Sequence, residues 1–255
     1  MTATDSTYVY AIIRGREIRS TGGLDRAPTR VVDSGEGIAA IVSSVRELPV
    51  KPTRANLAAH HEVIERATGD TTVLPMRFGF VMSDEDEVAS ELLQPHRDEL
   101  LEQLTRFDGH VELGVKVYYR EDSFLRDVVR EDRAIARLRE ATQRLTPEAG
   151  YYQRIRLGEL VFEAVERKRR EQAGQIRRAL EPLASAVASD ADPPDRVVLK
   201  AAFLVEDQRV PEFEERVEDL ASRNPDALHF KLVGPVPPYS FVTVAASEPA
   251  AVPWA

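Results

Sequence analysis

The side chains in this sequence best suited to chemistry sit in "AAHHEVIE", where His60, His61 and Glu62 are adjacent. Imidazoles ligate metals and carry protons near neutral pH, and a neighbouring glutamate adds a carboxylate. The spacing opposes a shared metal: the segment has helical periodicity, and consecutive helical residues diverge by about 100°. A zincin-type site needs two histidines four apart with a glutamate after the first, and the second histidine is missing at that spacing. His60 and His61 are therefore expected at the boundary or core of a helix, with no metal and no cofactor. A metal-dependent enzyme built on them and the acids near Asp84 would have to show stoichiometric zinc or manganese.

Other candidate motifs fare no better. "SDEDEVASE" gathers acids that could hold a cation, but acids in the first turn of a helix are stabilised by its dipole without any ion. "TGG" and "GEG" lack the spacing of a dinucleotide-binding loop and have no phosphate-binding lysine, so "TGGLDR" reads as a turn. "ERKRREQ", Glu166 to Gln172, is basic, yet Glu163, Glu166 and Glu171 break up its field and suit helical ion pairs, which describes a solvated helix face. No serine or threonine stands in a nucleophile elbow. Nothing in these patterns favours an enzyme.

Composition narrows the classes further. The chain has 255 residues, 43% of them hydrophobic, enough for one large domain or two ordinary ones. A formal net charge of -9 opposes general binding to nucleic acid or an anionic membrane. The absence of cysteine excludes disulfides and thiolate chemistry. "MTATDSTYVYAIIRG" has no basic n-region and too short an apolar run for a signal peptide or membrane span, so a cytoplasmic location is expected.

The elements that must position these residues can be read from periodicity. "TYVYAIIRG" has the β-branched and aromatic content of a buried strand; Val31-Val32 and Ile38 to Val42 flank "DSGEG" as a hairpin. "KPTRANLAAHHEVIERATG" turns helical, with Thr53 as cap, Gly69 as terminator and Leu57, His61, Ile64 and Thr68 as its stripe. Ser83 and Asp86 resemble a capping box ahead of a helix bearing Val88, Leu92, Leu100, Leu104 and Phe107, which Pro95 should split. "HVELGVKVYYR" alternates Val111, Leu113, Val115, Val117 and Tyr119 against polar neighbours. Helices are expected from Glu121 to about Ser189, one capped by Thr146 with Pro147 in its first position, broken near Pro182. A strand through Val197 to Val205, a helix carrying Phe213, Val217 and Leu220, and one or two more strands follow. The tail after Ala245 reads as frayed.

This order implies an α+β fold of two domains, 1–108 and 109–255. Each would be a mainly antiparallel sheet with helices on one face, in a ferredoxin-like arrangement, with long helices in the second.

Two proline-marked stretches remain. In "TVLPMRFGF", Pro75 removes a donor and Gly79 permits a positive φ or close backbone approach, which should hold Arg77 and Phe78 in a set orientation. In "GPVPPYSFV", Pro235, Pro237 and Pro238 stiffen the entry to a strand that would present Tyr239 and Phe241 on one side.

"YVYAII", "NLAAHHEVIE", "TVLPMRFGF" and "GPVPPYSFV", in this order and at these separations, resemble the gas vesicle protein F/L family (GvpF/GvpL). The resemblance spans about Tyr8 to Val244; Phe80 stands where the family has a small polar residue, and Val236 where a tryptophan is common. It implies an accessory component of gas vesicle formation with two α+β domains and no known catalytic site. The implied partners are the small hydrophobic shell protein (GvpA-type) and other gas vesicle accessory proteins, with no nucleic acid and no membrane. Pro75, Arg77, Phe78, Gly79, Pro237, Pro238, Tyr239 and Phe241 are the candidate partner-binding or motif residues. Arg77 is expected either to pair with an acid across the sheet or to project at a partner or interdomain surface. A different class of reading is a ligand-sensing regulatory module, since paired ferredoxin-like domains can hold a small molecule at their junction.

Overall fold

A computed structural model describes residues 6–15, 18–35, 37–120, 128–190, 193–194 and 196–244. Strands β1 (Ser6–Arg14), β2 (Arg30–Asp33), β3 (Ile38–Val45), β4 (Val73–Pro75) and β5 (Val81–Met82) form an antiparallel sheet in the order β2-β3-β1-β4, with β5 also on β1. β1 is buried at every position from Thr7 to Ile13, as its continuous apolar run requires of a central strand covered on both faces.

A register shift between Val9 and Ala11 leaves Tyr10 as an extra residue in β1. The bulge resets the alternation, so Tyr8, Tyr10, Ala11 and Ile13 all join one core cluster, against Val63, Ile64 and Ala67 of helix α1 (Arg54–Thr68). Thr53 caps α1 by accepting from the Asn56 amide, and Gly69 follows its end. The buried stripe of α1 is His60, Val63, Ile64 and Ala67; Leu57 and His61 are exposed. The expected stripe is thus rotated, because the sheet offers tyrosine hydroxyls that a histidine can satisfy.

The helical segment after β5 begins at α2 (Glu85–Glu87), passes through a π-helical stretch over Val88–Leu93, breaks around Pro95, and resumes as α3 (Arg97–Arg106). The capping residue is Asp84, which accepts from the Glu87 amide, while Glu87 reaches back to the Ser83 amide. The box is one residue out from the Ser83 and Asp86 pair. Val88, Leu92, Leu100, Leu104 and Phe107 are all buried, and α3 packs on β1, β3 and β4.

Strands β6 (His110–Tyr119), β7 (Ala186–Ser189), β8 (Val197–Glu206) and β9 (Leu228–Val236) form the second antiparallel sheet, ordered β7-β8-β6-β9. Helices α4 (Arg133–Gln143) and α5 (Tyr151–Leu180) fall between β6 and β7 in sequence, and α6 (Val210–Ser222) between β8 and β9. This is the ferredoxin-like βαββαβ order, with long helices in the first crossover. The first sheet repeats the strand relation of β1 to β4, with a loop and a 3₁₀ turn at Leu24–Arg26 in place of the first crossover helix.

Two expectations shift here. Thr146 accepts from the Ala149 amide within a turn, and α5 begins only at Tyr151. Ala186–Ser189, read as helix, is an edge strand. The expected helix between residues 121 and 127 and the tail beyond Val244 lie outside the described residues. By internal contact the chain forms two compact units: one takes the chain through Leu113, Leu204–Asp207 and the segment from Gly234 onward; the other takes Gly114–Phe203 and Gln208–Val233. Among the described residues no helix is long and apolar enough to cross a membrane.

Candidate functional site

Within the first unit, all four sequence stretches singled out above meet at one place. Tyr8 and Tyr10 on β1 project beside His60 of α1, with ring centroids 5.7 Å from the imidazole in both cases. Phe78 closes the group edge-on, 5.6 Å from His60 and 6.1 Å from Tyr8. The hydroxyl of Tyr8 bonds to His60 Nδ1 at 2.9 Å and accepts from the Gly79 amide at 2.9 Å. Because Tyr8 accepts from Gly79, its own proton goes to His60 Nδ1, and the imidazole's second nitrogen donates to the Met76 carbonyl. Tyr10 serves a parallel role: its hydroxyl bonds to Ser43 at 2.8 Å and accepts from the Leu24 amide at 2.8 Å.

Burial fixes the protonation of this group. Desolvation outweighs the Met76 carbonyl and, with His61 alongside, pushes His60 down to about 4 from 6.5, so the ring is neutral at pH 7. Burial likewise pushes the Tyr8 hydroxyl up, against the favourable Gly79 amide. Both histidine nitrogens are engaged and the phenol stays protonated.

Pro75 is buried at the end of β4 opposite Ala11, where its missing amide is no loss. Residues Arg77 to Phe80 form a tight turn: the Phe80 amide bonds to the Arg77 carbonyl at 3.2 Å, and Gly79 sits at φ +88°. A type II turn requires such a φ at its third residue, which is why glycine stands there. Arg77 is half-buried, and its Nη2 is buried with no hydrogen-bond partner among the described residues.

The second proline stretch differs from expectation. β9 ends at Val236, and Pro237 and Pro238, both buried, lead into a turn in which the Phe241 amide bonds to the Pro238 carbonyl at 3.1 Å. Two consecutive residues without amide protons end the ladder, so Tyr239 and Phe241 lie in a turn and not on one strand face. Tyr239 stacks its ring nearly parallel to His61, with centroids 5.8 Å apart, and its hydroxyl lies 3.2 Å from His61 Nδ1. Phe241 is half-buried. His60 and His61 thus divide by helix geometry, one to the core and one to the aromatic turn.

Glu112, missed by the sequence reading, holds this turn. Fully buried on β6, its carboxylate accepts from the Ser240 amide at 2.7 Å and hydroxyl at 2.8 Å. Gln103 on α3 pairs with both backbone groups of Thr243, at 2.6 and 2.9 Å. Gly234, at φ +119°, passes so close to β6 that a Cβ there would lie 2.7 Å from the Glu112 carbonyl oxygen. No sequence signal marks Glu112, because a glutamate on an alternating strand reads as solvent-facing.

The remaining charged candidates are spent in pairs. In the second unit Lys168 pairs with Glu131 at 2.8 Å, Arg167 with Asp132 at 3.4 Å, and Arg169 with Glu166 at 2.8 Å. Among the described residues, no group of three or more His, Asp or Glu is placed to hold a metal ion.

The convergence of these stretches agrees with comparison to known proteins. The family described as gas vesicle synthesis protein GvpL/GvpF matches residues 6–243. Gas vesicle protein F of Streptomyces sp. (strain CB03234) is 35% identical over 245 residues, covering 93% of this chain and 99% of the relative. Gas vesicle protein L of the same strain is 29% identical over 264 residues, 94% of each. The crystal structure of GvpF from Anabaena sp. PCC7120 superposes with a TM-score of 0.82 at 23% identity, covering 94% of this chain and 99% of that one. That of GvpF from Microcystis aeruginosa gives 0.76 at 24% identity, covering 93% and 99%. These two likenesses establish the shared α+β fold, and the match along residues 6–243 establishes that the chain belongs to the GvpL/GvpF family of gas vesicle proteins.

Proposed function

We propose that this chain is a non-enzymatic accessory protein of gas vesicle assembly, acting in the cytoplasm, that binds the small hydrophobic shell protein and keeps it soluble or delivers it to the growing vesicle. A shell subunit whose apolar face must line a gas space aggregates in water unless that face is covered. An acidic partner with a net charge of -9 keeps such a complex in solution.

The observation that carries the reading is Arg77. The polar groups of the motif cluster are satisfied internally, while Arg77 Nη2, beside Phe78 and the exposed Gly79, is left buried without an acceptor among the described residues. A carbonyl or carboxylate brought by the shell protein would complete it once the half-buried side chain turns outward, with Phe78, Tyr239 and Phe241 as apolar neighbours and Pro75, Pro237 and Pro238 stiffening their backbones. The test is capture of purified shell protein by the chain and by Arg77→Ala, with circular dichroism to check folding. Losing one charge-assisted bond should weaken capture by about tenfold or more. A folded Arg77→Ala that binds normally removes Arg77 from the interface. No affinity of the unaltered chain for the shell protein, with vesicles still forming in cells lacking it, overturns the function.

A further inference from the structure

We infer that the solvent face of α5 between Tyr151 and Phe162 is a self-association surface, on which two copies of this chain pair with their α5 helices antiparallel. The inference is independent of the shell-protein reading, which uses other residues.

Of residues 151–164, only Leu157, Leu160, Val161 and Ala164 are buried or half-buried. Helical geometry sets these on one side, the packing side of a helix that lies against α4. A second apolar stripe lies elsewhere on the cylinder. Tyr151, Ile155, Gly158 and Phe162 recur at spacings of four, three and four, about 140° from the packing side, with Tyr152 on the margin. Tyr151 is 59% exposed, Tyr152 80%, Ile155 46% and Phe162 66%. At roughly 150–250 Å² for each aromatic side chain, the open apolar area is about 500 Å², as large as the biggest patch on a typical monomer.

Gly158 says how the face is used. Glycine inside a helix is less favourable than alanine, because its backbone loses more freedom on ordering. A Cβ built at Gly158 meets nothing within 4 Å, so the chain's own packing does not call for glycine there. A close approach from outside would.

The stripe is also complementary to itself. Its midpoint falls between Arg156 and Leu157, and a two-fold axis there sets Tyr151 against Phe162 of the second copy and Ile155 against the gap at Gly158. Arg156 and Glu159 pair within one helix at 2.9 Å, to one side of the stripe, so these charges are already balanced when two copies approach. The paired area, about 1,000 Å² in total, reaches only the lower bound of a specific interface, so the dimer is reversible, with a dissociation constant of about 10 µM or weaker.

Sedimentation equilibrium of the full chain across a dilution series tests this. The unaltered chain should pass from monomer to dimer with concentration, Phe162→Glu should remain monomeric, and Gly158→Leu should weaken pairing at least tenfold while the fold is retained. Because the chain has no cysteine, a single Ile155→Cys substitution on the stripe beside the axis should give dimers with a short bis-maleimide, whereas Gln175→Cys should not. A monomer at every concentration, a Gly158→Leu protein that pairs normally, or equal cross-linking at both positions would overturn the inference. So would a monomeric chain whose Phe162 proves necessary only for capturing the shell protein, which would assign the stripe to that partner.

Discussion

Neutralising His60 is the feature of the motif cluster with the clearest energetic signature. The unfolded chain takes up a proton on this residue near pH 6.5, whereas in the folded protein burial delays uptake to about pH 4. Since the unfolded state binds more protons between those values, stability from this site is complete above about pH 6.5 and falls as pH drops toward 4. The whole interval is worth about 3 kcal/mol, and about 2 kcal/mol is already lost at pH 5. Carboxylates elsewhere also contribute to acid sensitivity, so the informative quantity is a difference. Urea unfolding of the protein and of His60→Gln should be compared at pH 7.5 and 5. The variant is less stable at pH 7.5, and the gap should narrow by about 2 kcal/mol at pH 5, because glutamine has no proton to take up. Parallel pH profiles for the two proteins, or an imidazole of His60 that titrates near 6.5 by NMR, would refute the buried neutral histidine.

The neighbouring groups make further outcomes specific. Tyr8→Phe leaves both the Gly79 amide and His60 Nδ1 without the hydroxyl they share; unfolding free energy should drop by about 1–3 kcal/mol, and amide exchange at Gly79 should accelerate. Gly79→Ala meets no atom within 4 Å but must hold φ +88°; a loss of about 1–2 kcal/mol without change in the secondary structure by circular dichroism is expected. Gly234→Ala adds to its φ of +119° a Cβ 2.7 Å from the Glu112 carbonyl oxygen; thermal unfolding should show it to be the more damaging of the two glycine changes.

What was legible in the sequence follows from how each element is stabilised. β1 and β8 are long apolar runs and α1 has a capping threonine, signals that act locally and survive in any context. β7 was not legible: Ala186–Ser189 has small residues that suit a helix, and only pairing with β8 makes it a strand. The rotated stripe of α1 has the same origin, since a histidine counts as apolar-facing only once Tyr8 supplies its hydrogen bond. Of the candidate site, the proline stretches were visible and their meeting point was not. The bulge at Tyr10 and the buried Glu112 join residues far apart in sequence, with no local pattern to show it.

The chemistry of the cluster also explains why residues that resemble a catalytic set need not turn anything over. A histidine base needs a free nitrogen and an affinity for protons near the working pH. His60 has both nitrogens bonded and takes up a second proton only below about pH 4, and Tyr8 donates its hydrogen bond to that same ring. What these bonds achieve is positional: they tie β1, α1 and the turn at Gly79 into one piece, while Tyr239 and Glu112 bring in the turn after β9. Arg77 follows β4 half-buried beside that piece, and its buried Nη2 has no acceptor among the described residues. On the shell-protein reading proposed above, a backbone fixed by these inner bonds limits the freedom that the turn at Arg77 and Phe78 loses on meeting a partner.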